Sequence, residues 1–430
     1  MDPQSLEQVL LGRQLPHLLP PEQDWIVPHY QGLSIANIPA TIAALFDHNL
    51  PEALPPLPPA LWTGWQPGIE RVVLVILDAL GYRMLQGRWA AGQGDTFSAL
   101  AQAGRLIPLT SVFPSTTDAA LMSLRTGCPP AQHGWLAYTM YLREMGIASN
   151  AIVLTPMWSF QRDLLVEWGL DPSRIIPVPS LAESLASEHI ATYALLASAF
   201  RGSAFTKVLY RGVQEIHTHR TASDFWVQLR HLLAETRGQR AVITAYWSAL
   251  DTLSHAYGPE TDIPEAEFQT IDLLLRRHFL DALPAQDREG TLLLITADHG
   301  QIHIPPEQIV TAQDTPELSQ HLLVPITGES RAAFVHPRPG RAKAIDEYLQ
   351  DTFPGWFVVL ESARALETGL LGKPIYDESY ARAGELLVLP TGAHALQHSQ
   401  PKVSLLGRHG GLTAEEMLVP LIGVRLEATG

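Results

Sequence analysis

Three stretches constrain the fold of this chain more than any other feature: Arg71-Val-Val-Leu-Val-Ile-Leu77, Arg240-Ala-Val-Ile-Thr-Ala-Tyr246 and Gly290-Thr-Leu-Leu-Leu-Ile-Thr296. Each is rich in β-branched and leucine residues and lacks polar alternation. A strand with one wet face alternates, whereas a strand covered on both faces does not, so these runs predict a buried parallel sheet. The first ends on Asp78 and the third delivers Asp298-His299, while the second leads shortly to Asp251. In open α/β sheets the carboxyl ends of the strands form the ligand crevice, which places these carboxylates where ligands bind.

At 430 residues the chain is too long for one ordinary compact core. Residues 1–70 are punctuated by Pro20-Pro21 and by Pro51 to Pro59, and read as an irregular arm packed on a core, with a short helix around Ile38–Phe46. Residues 71–300 carry the buried runs and form the first part of the core. Glu265–Leu283 within them reads as an amphipathic helix. Residues 301–400 lack such runs. A helix over Ala342–Gln350 and short strands over Trp356–Leu360 and Glu385–Leu389 predict a small inserted cap region there. Residues 401–430 return to the core with a closing strand, Leu418–Val424.

A formal charge of -15 excludes a nucleic-acid scaffold, which needs a basic footprint. The single cysteine, Cys128, excludes an internal disulfide and a thiolate-rich metal site. The N-terminus lacks a basic segment before an apolar run, and no apolar stretch is long enough to span a bilayer. The expectation is a cytoplasmic protein without a membrane partner. Nothing in the sequence speaks to oligomeric state.

Metal-type ligands occur at four separated places. Asp78 and Asp298-His299 end strands. Asp251 and His255 are four apart, on one face of a helical turn that Gly258-Pro259 stops. His409 lies in the glycine-flanked turn Gly407-Arg-His-Gly-Gly411, followed by the capping-box pattern Thr413-Ala-Glu-Glu416. A fifth place, Ser115-Thr-Thr-Asp118, lies between a strand-like run, Arg105–Phe113, and a helix-forming one, Ala119–Arg125. Any of its residues can cap the helix, and the unpaired N–H groups of a helix start favour an anion. Aspartate and histidine together suit zinc or manganese, and two divalent ions about 3.5–4 Å apart are a known solution for displacement at a phosphate ester.

These pieces come in the order of a known family. Leu77-Asp78, Phe113-Pro-Ser-Thr-Thr117 with Thr126-Gly127 and His133-Gly134, Asp251-x-x-x-His255-x-x-Gly-Pro259, Ala297-Asp-His-Gly300 and Gly407-Arg-His409-Gly resemble the alkaline phosphatase superfamily. Within it they resemble the type I phosphodiesterase/nucleotide pyrophosphatase branch. The resemblance implies an alkaline phosphatase-like α/β core, with a central, mostly parallel sheet and helices on both faces. It implies a metal-dependent hydrolase of small phosphoric esters that works through a phospho-threonine, with two divalent ions, zinc favoured over manganese. Thr117 becomes the nucleophile. Asp78, Thr117, Asp298 and His299 hold one ion, and Asp251, His255 and His409 hold the other. Thr116 falls where these enzymes commonly carry lysine. The asparagine found three residues after the nucleophile in that branch is Ala120 here, so its contact comes from something else or is missing. Thr116, Trp135, Tyr138 and Trp158 are the candidate substrate-binding residues, chosen by loop position. A phosphodiester or nucleotide-type substrate is favoured. The alternatives are a phosphomonoesterase, a phosphonate-ester hydrolase or a phosphomutase of the same superfamily. The Cys128 context lacks the sulfatase pattern.

Overall fold

The computed structural model describes residues 2–400 and 405–429. With strands numbered in chain order, the central sheet contains β1 (Arg71–Leu77), β2 (Arg105–Thr110), β6 (Ala191–Ala197), β7 (Glu215–His219), β8 (Ala241–Trp247), β9 (Thr291–Thr296) and β18 (Leu418–Arg425). Their order is β2-β18-β9-β1-β8-β6-β7. Strands β9, β1, β8, β6 and β7 run parallel, and β18 is antiparallel to both its neighbours. Every residue of β1, β8 and β9 is buried, as the missing alternation requires. Register then places the site. Leu77 lies opposite Trp247, and Ile76 opposite Thr296, so the three strands end at one level. Their carboxyl ends release Asp78, the helix Ala249–Tyr257 and Asp298-His299 into one crevice.

A second sheet of seven strands is the main departure from the sequence expectation. It comprises β3 (Thr139–Leu142), β4 (Ile147–Asn150), β5 (Thr155–Pro156), β12 (Thr327–Glu329), β13 (Ala332–Val335), β14 (Phe357–Glu361) and β15 (Leu386–Pro390). The order β14-β15-β13-β12-β3-β4-β5 joins two distant segments through the β12–β3 pair, Gly328 opposite Thr139. The inserted region is therefore not closed on itself, since it completes its sheet with residues 139–156. Strands of two to four residues carry too little periodicity to be read from sequence. A smaller core lies against this sheet, with Ile345 and Leu349 of helix Ala342–Thr352 meeting Val335, Val388 and Phe357.

Two short ladders complete the fold. Strand β10 (Ile302–His303) pairs antiparallel with β17 (Gly407–Arg408), and β11 (Ile309–Thr311) pairs with β16 (Ala395–Gln397). Apolar residues of the proline-rich arm, among them Leu6, Leu10, Ile38 and Ile42, are part of the main hydrophobic core. The arm's helix spans Ile38–Leu45, and the Leu54 N–H bonds the Gly127 carbonyl at 2.8 Å, behind the helix Thr117–Thr126. The amphipathic helix runs from Asp262 to Leu274 and continues as a π-helical turn, Leu275–Leu280, short of the expected Leu283. No helix among the described residues is long and apolar enough to cross a membrane.

Candidate metal centre

The fold gathers residues from five separated segments. Asp78 follows β1, and the next residue, Ala79, has φ of 63°, a left-handed conformation that L-residues rarely adopt. That turn aims the Ala79 N–H at Asp298 Oδ1, 3.2 Å away. The His299 N–H bonds the same oxygen at 3.0 Å. Gly300 then passes so close to the Glu415 carbonyl that a Cβ there would lie 2.0 Å from its oxygen, so only glycine fits. Asp251 and His255 stand one turn apart on helix Ala249–Tyr257, with Asp251 Oδ1 3.3 Å from His255 Nε2. The Gln301 amide donates to that carboxylate, and the Tyr246 hydroxyl donates to Asp78.

The three histidines share one arrangement. His255 Nδ1 is 2.7 Å from the Gly407 carbonyl, His299 Nδ1 3.0 Å from the Gly300 carbonyl, and His409 Nδ1 3.1 Å from the Ser115 carbonyl. A carbonyl only accepts, so each Nδ1 carries a proton, which makes the Nε2 lone pair of the neutral ring the free ligand atom. Those lone pairs converge. His409 Nε2 lies 3.2 Å from His255 Nε2 and 3.9 Å from Asp251 Oδ1. His299 Nε2 lies 3.6 Å from Asp78 Oδ1 and 3.7 Å from Asp298 Oδ2. Asp251, His255 and His409 form one set of mutually close ligand atoms, and Asp78, Asp251 and His299 a second, so Asp251 belongs to both.

Thr117 opens the helix Thr117–Thr126, whose N-cap residue Thr116 is extended. Its hydroxyl lies 3.0 Å from His299 Nε2 and donates to it. Thr117 thus joins the second set, facing the cluster from the positive end of a helix. Ser115 ties this turn to the His409 turn through a backbone bridge to Gly410 and a 2.8 Å bond from its hydroxyl to the Gly411 carbonyl.

The electrostatics call for cations. Burial, then Asp251 and Asp298, push the Asp78 carboxyl well above the usual range. Burial, then His299 and His255, hold His409 well below the usual histidine value. Asp78 Oδ1 and Asp298 Oδ2 are buried without a hydrogen-bond partner. Unpartnered buried carboxylate oxygens facing neutral imidazole lone pairs fit a divalent cation with borderline N/O ligands.

The proposed substrate-binding residues divide. Thr116 is buried, and its hydroxyl lies 2.6 Å from Glu329 Oε1 and 3.2 Å from Asp118 Oδ1. Trp135 is fully buried against Phe205, with ring centroids 5.0 Å apart. Both lie inside the protein, while Tyr138 and Trp158 are exposed, at 45% and 68%. Ala120 is buried in the core, so its position offers nothing to a ligand. His133 is also internal, bonded to Ser123 and Trp135 and pushed down to about 3 by burial. Burial pushes the Cys128 thiol up to about 12, which leaves it no nucleophile.

The sequence did not single out Tyr246, Gln301 or Glu329, and it offered Asp118 only as one of four residues able to cap the helix that follows. Burial, then Asp118, pushes Glu329 up to about 8, and burial pushes Asp118 up to about 6. A tyrosine ending an apolar strand was the available signal for Tyr246. Glu329, in a Pro- and Gly-punctuated region, gave none.

Comparison with known proteins supports the same fold. The profile of the type I phosphodiesterase / nucleotide pyrophosphatase family matches residues 72–411. Murine ectonucleotide pyrophosphatase / phosphodiesterase 5 superposes with a TM-score of 0.61 at 16% identity, covering 82% of this chain and 87% of that one. The human protein gives 0.61 at 17%, with the same coverage of 82% and 87%. Phosphonoacetate hydrolase from Sinorhizobium meliloti, in complex with phosphonoacetate, gives 0.60 at 17%, covering 83% and 93%. No curated protein matches the sequence.

Proposed function

The chain belongs to the type I phosphodiesterase/nucleotide pyrophosphatase family of metal-dependent phosphoric-ester hydrolases, and from that premise we propose that it cleaves its ester through a phospho-threonine on Thr117 with two divalent ions. One observation carries this reading: the Thr117 hydroxyl stands 3.0 Å from His299 Nε2, at a helix start on the edge of the ligand cluster. Asp78, Thr117, Asp298 and His299 would hold one ion. Asp251, His255 and His409 would hold the other, with Asp251 close to both sets. Zinc is favoured by the three imidazoles and manganese is the alternative. When bound, the ions supply charge neutralisation for the phosphoryl group and acidify hydroxyls near them.

The chain's own residues supply the rest. Deprotonated Thr117 Oγ forms a P–O bond in line while the P–O bond to the alcohol breaks and the alcohol leaves with a proton from solvent. Water then displaces the phosphoryl group from threonine, which recovers its proton, releasing phosphate from a monoester or a phosphate monoester from a diester. The helix start favours the anion, and the three backbone carbonyls keep each Nε2 free of its proton. The substrate is a small phosphate ester, with a diester favoured. An inactive form of murine ectonucleotide pyrophosphatase / phosphodiesterase 5 is described in complex with AMP, which supports a nucleotide-type ligand. The phosphonoacetate hydrolase, described in complex with a phosphonate, favours a second reading, hydrolysis of a phosphonate ester. A phosphomutase is less favoured, because it would need to keep the phosphoryl group from water. A cytoplasmic location is part of the proposal, consistent with a single free, buried cysteine.

The test is Thr117→Ala in metal-loaded protein, assayed on p-nitrophenyl diester, monoester and phosphonate esters. The variant should lose at least about 10³-fold in kcat with its metal retained. Activity equal to wild type would remove Thr117 from the mechanism, and the order of the three substrates decides between the readings.

A further inference from the structure

Glu329 reaches the nucleophile turn from the other sheet. It ends β12, which lies between β13 and β3, with Glu329 opposite Ala332 and Gly328 opposite Thr139. Its Oε1 accepts from the Thr116 hydroxyl at 2.6 Å and from the Tyr138 N–H at 3.0 Å. The side chain also fills the space beside Gly410. A Cβ there would lie 2.6 Å from Glu329 Cβ, and Gly410 has φ of +114°, so the His409 turn closes onto Glu329 only because residue 410 is glycine. Among the described residues no ion pair involves Glu329. It thus touches the residue before Thr117 and the residue after His409, two turns that belong to different ligand sets.

Resting on the reading of Thr117 as nucleophile, we propose that Glu329 is a positioning residue that fixes Thr117 relative to His409. It acts through Thr116 and Gly410 and does not itself hold a metal. Thr116 is the N-cap of the nucleophile helix, yet its side chain makes no capping bond. A threonine in that place ordinarily bonds an N–H of the first turn. Here the hydroxyl bonds Glu329 and lies 3.2 Å from Asp118 Oδ1 in the helix's own first turn, so through Glu329 the orientation of the helix's first residue is set from the other sheet. A displacement of about 1 Å at a nucleophile costs on the order of 10²-fold in rate.

The test compares Glu329→Gln and Glu329→Ala with wild type and with Thr117→Ala. It follows kcat and KM on p-nitrophenyl phenylphosphate, bound metal by elemental analysis, and Tm. Glu329→Gln keeps an oxygen that accepts both donors. It should stay within about fivefold of wild-type kcat, whereas Glu329→Ala should fall about 100-fold in kcat with KM within about twofold and metal retained. If Glu329→Ala does not fold, Glu329→Asp replaces it, because the carboxylate is withdrawn by one methylene and the same kcat-only loss is expected. Glu329→Ala with kcat near wild type overturns the inference. So does a loss that Glu329→Gln shares equally, or one that comes with metal loss and lowered Tm. Those outcomes leave Thr117 as nucleophile if Thr117→Ala is inactive. If Thr117→Ala is active, that reading fails and the inference fails with it.

Discussion

His255 and His409 face each other with their Nε2 atoms 3.2 Å apart, and each ring has already committed its Nδ1 proton to a backbone carbonyl. Two lone pairs at that separation repel unless a cation lies between them and the solvent. Metal removal should therefore cost stability as well as activity. Chelated protein, refilled with zinc at about 100 times its Kd, should gain about 2.7 kcal/mol per site, read as a rise in Tm or in the urea midpoint. His409→Gln should lower the metal content by about one ion per chain, measured by elemental analysis.

Asp251 lies within reach of both ligand sets. Its replacement should not behave like that of a one-site ligand. Asp251→Asn should weaken both ions, so metal content after dialysis falls below that of His409→Gln. Retention of one full ion in Asp251→Asn would assign the carboxylate to a single site.

Arg331 and Glu416 form a fully buried pair, with Arg331 Nη2 3.0 Å and Nε 3.2 Å from the carboxylate, which also accepts the Gly411 N–H at 2.8 Å. The pair locks the turn after His409 to the second sheet. Arg331→Ala leaves a buried carboxylate without its cation and should cost about 3–5 kcal/mol in urea unfolding. Arg331→Met with Glu416→Leu should recover part of that loss, because neither charge is then stranded.

His133 is buried and held neutral down to about pH 3. The unfolded chain protonates it near 6.5, so the unfolded state binds more protons below that pH and stability falls as the pH drops from 6.5 toward 3. At pH 5 this one residue should cost about 2 kcal/mol relative to pH 7. His336, pushed down to about 4 by burial, adds a loss of the same sign over a narrower window. His133→Gln should flatten the dependence of the urea midpoint between pH 7 and 5.

The central sheet was legible because β1, β8 and β9 are covered on both faces, and covered strands cannot hide among alternating ones. Asp78, Asp251, Asp298 and His299 were legible for the same reason, as each lies at or just beyond the end of such a strand. The second sheet was legible only in β14 and β15, which match the strands expected over Trp356–Leu360 and Glu385–Leu389; β3, β4, β5, β12 and β13 have two to four residues and come from segments nearly 200 residues apart, so neither period nor proximity shows in the sequence. Glu329 shares that cause. Its partners, Thr116 and Tyr138, lie 213 and 191 residues away in sequence. Thr116 and Trp135 illustrate the opposite problem, since a place in a loop near the nucleophile does not say whether a side chain points out or in.

Strand β18 lies between β2 and β9, and β17 with its histidine turn precedes it by only a few residues. During synthesis the nucleophile turn emerges roughly three hundred residues before these partners do. A nascent chain can fold its parallel strands early, but β2 and β9 have no common neighbour until β18 leaves the ribosome. The same late segment carries His409. On the proposed ligand sets, hydrolytic competence and closure of the sheet thus arrive together, and a prematurely terminated chain has neither.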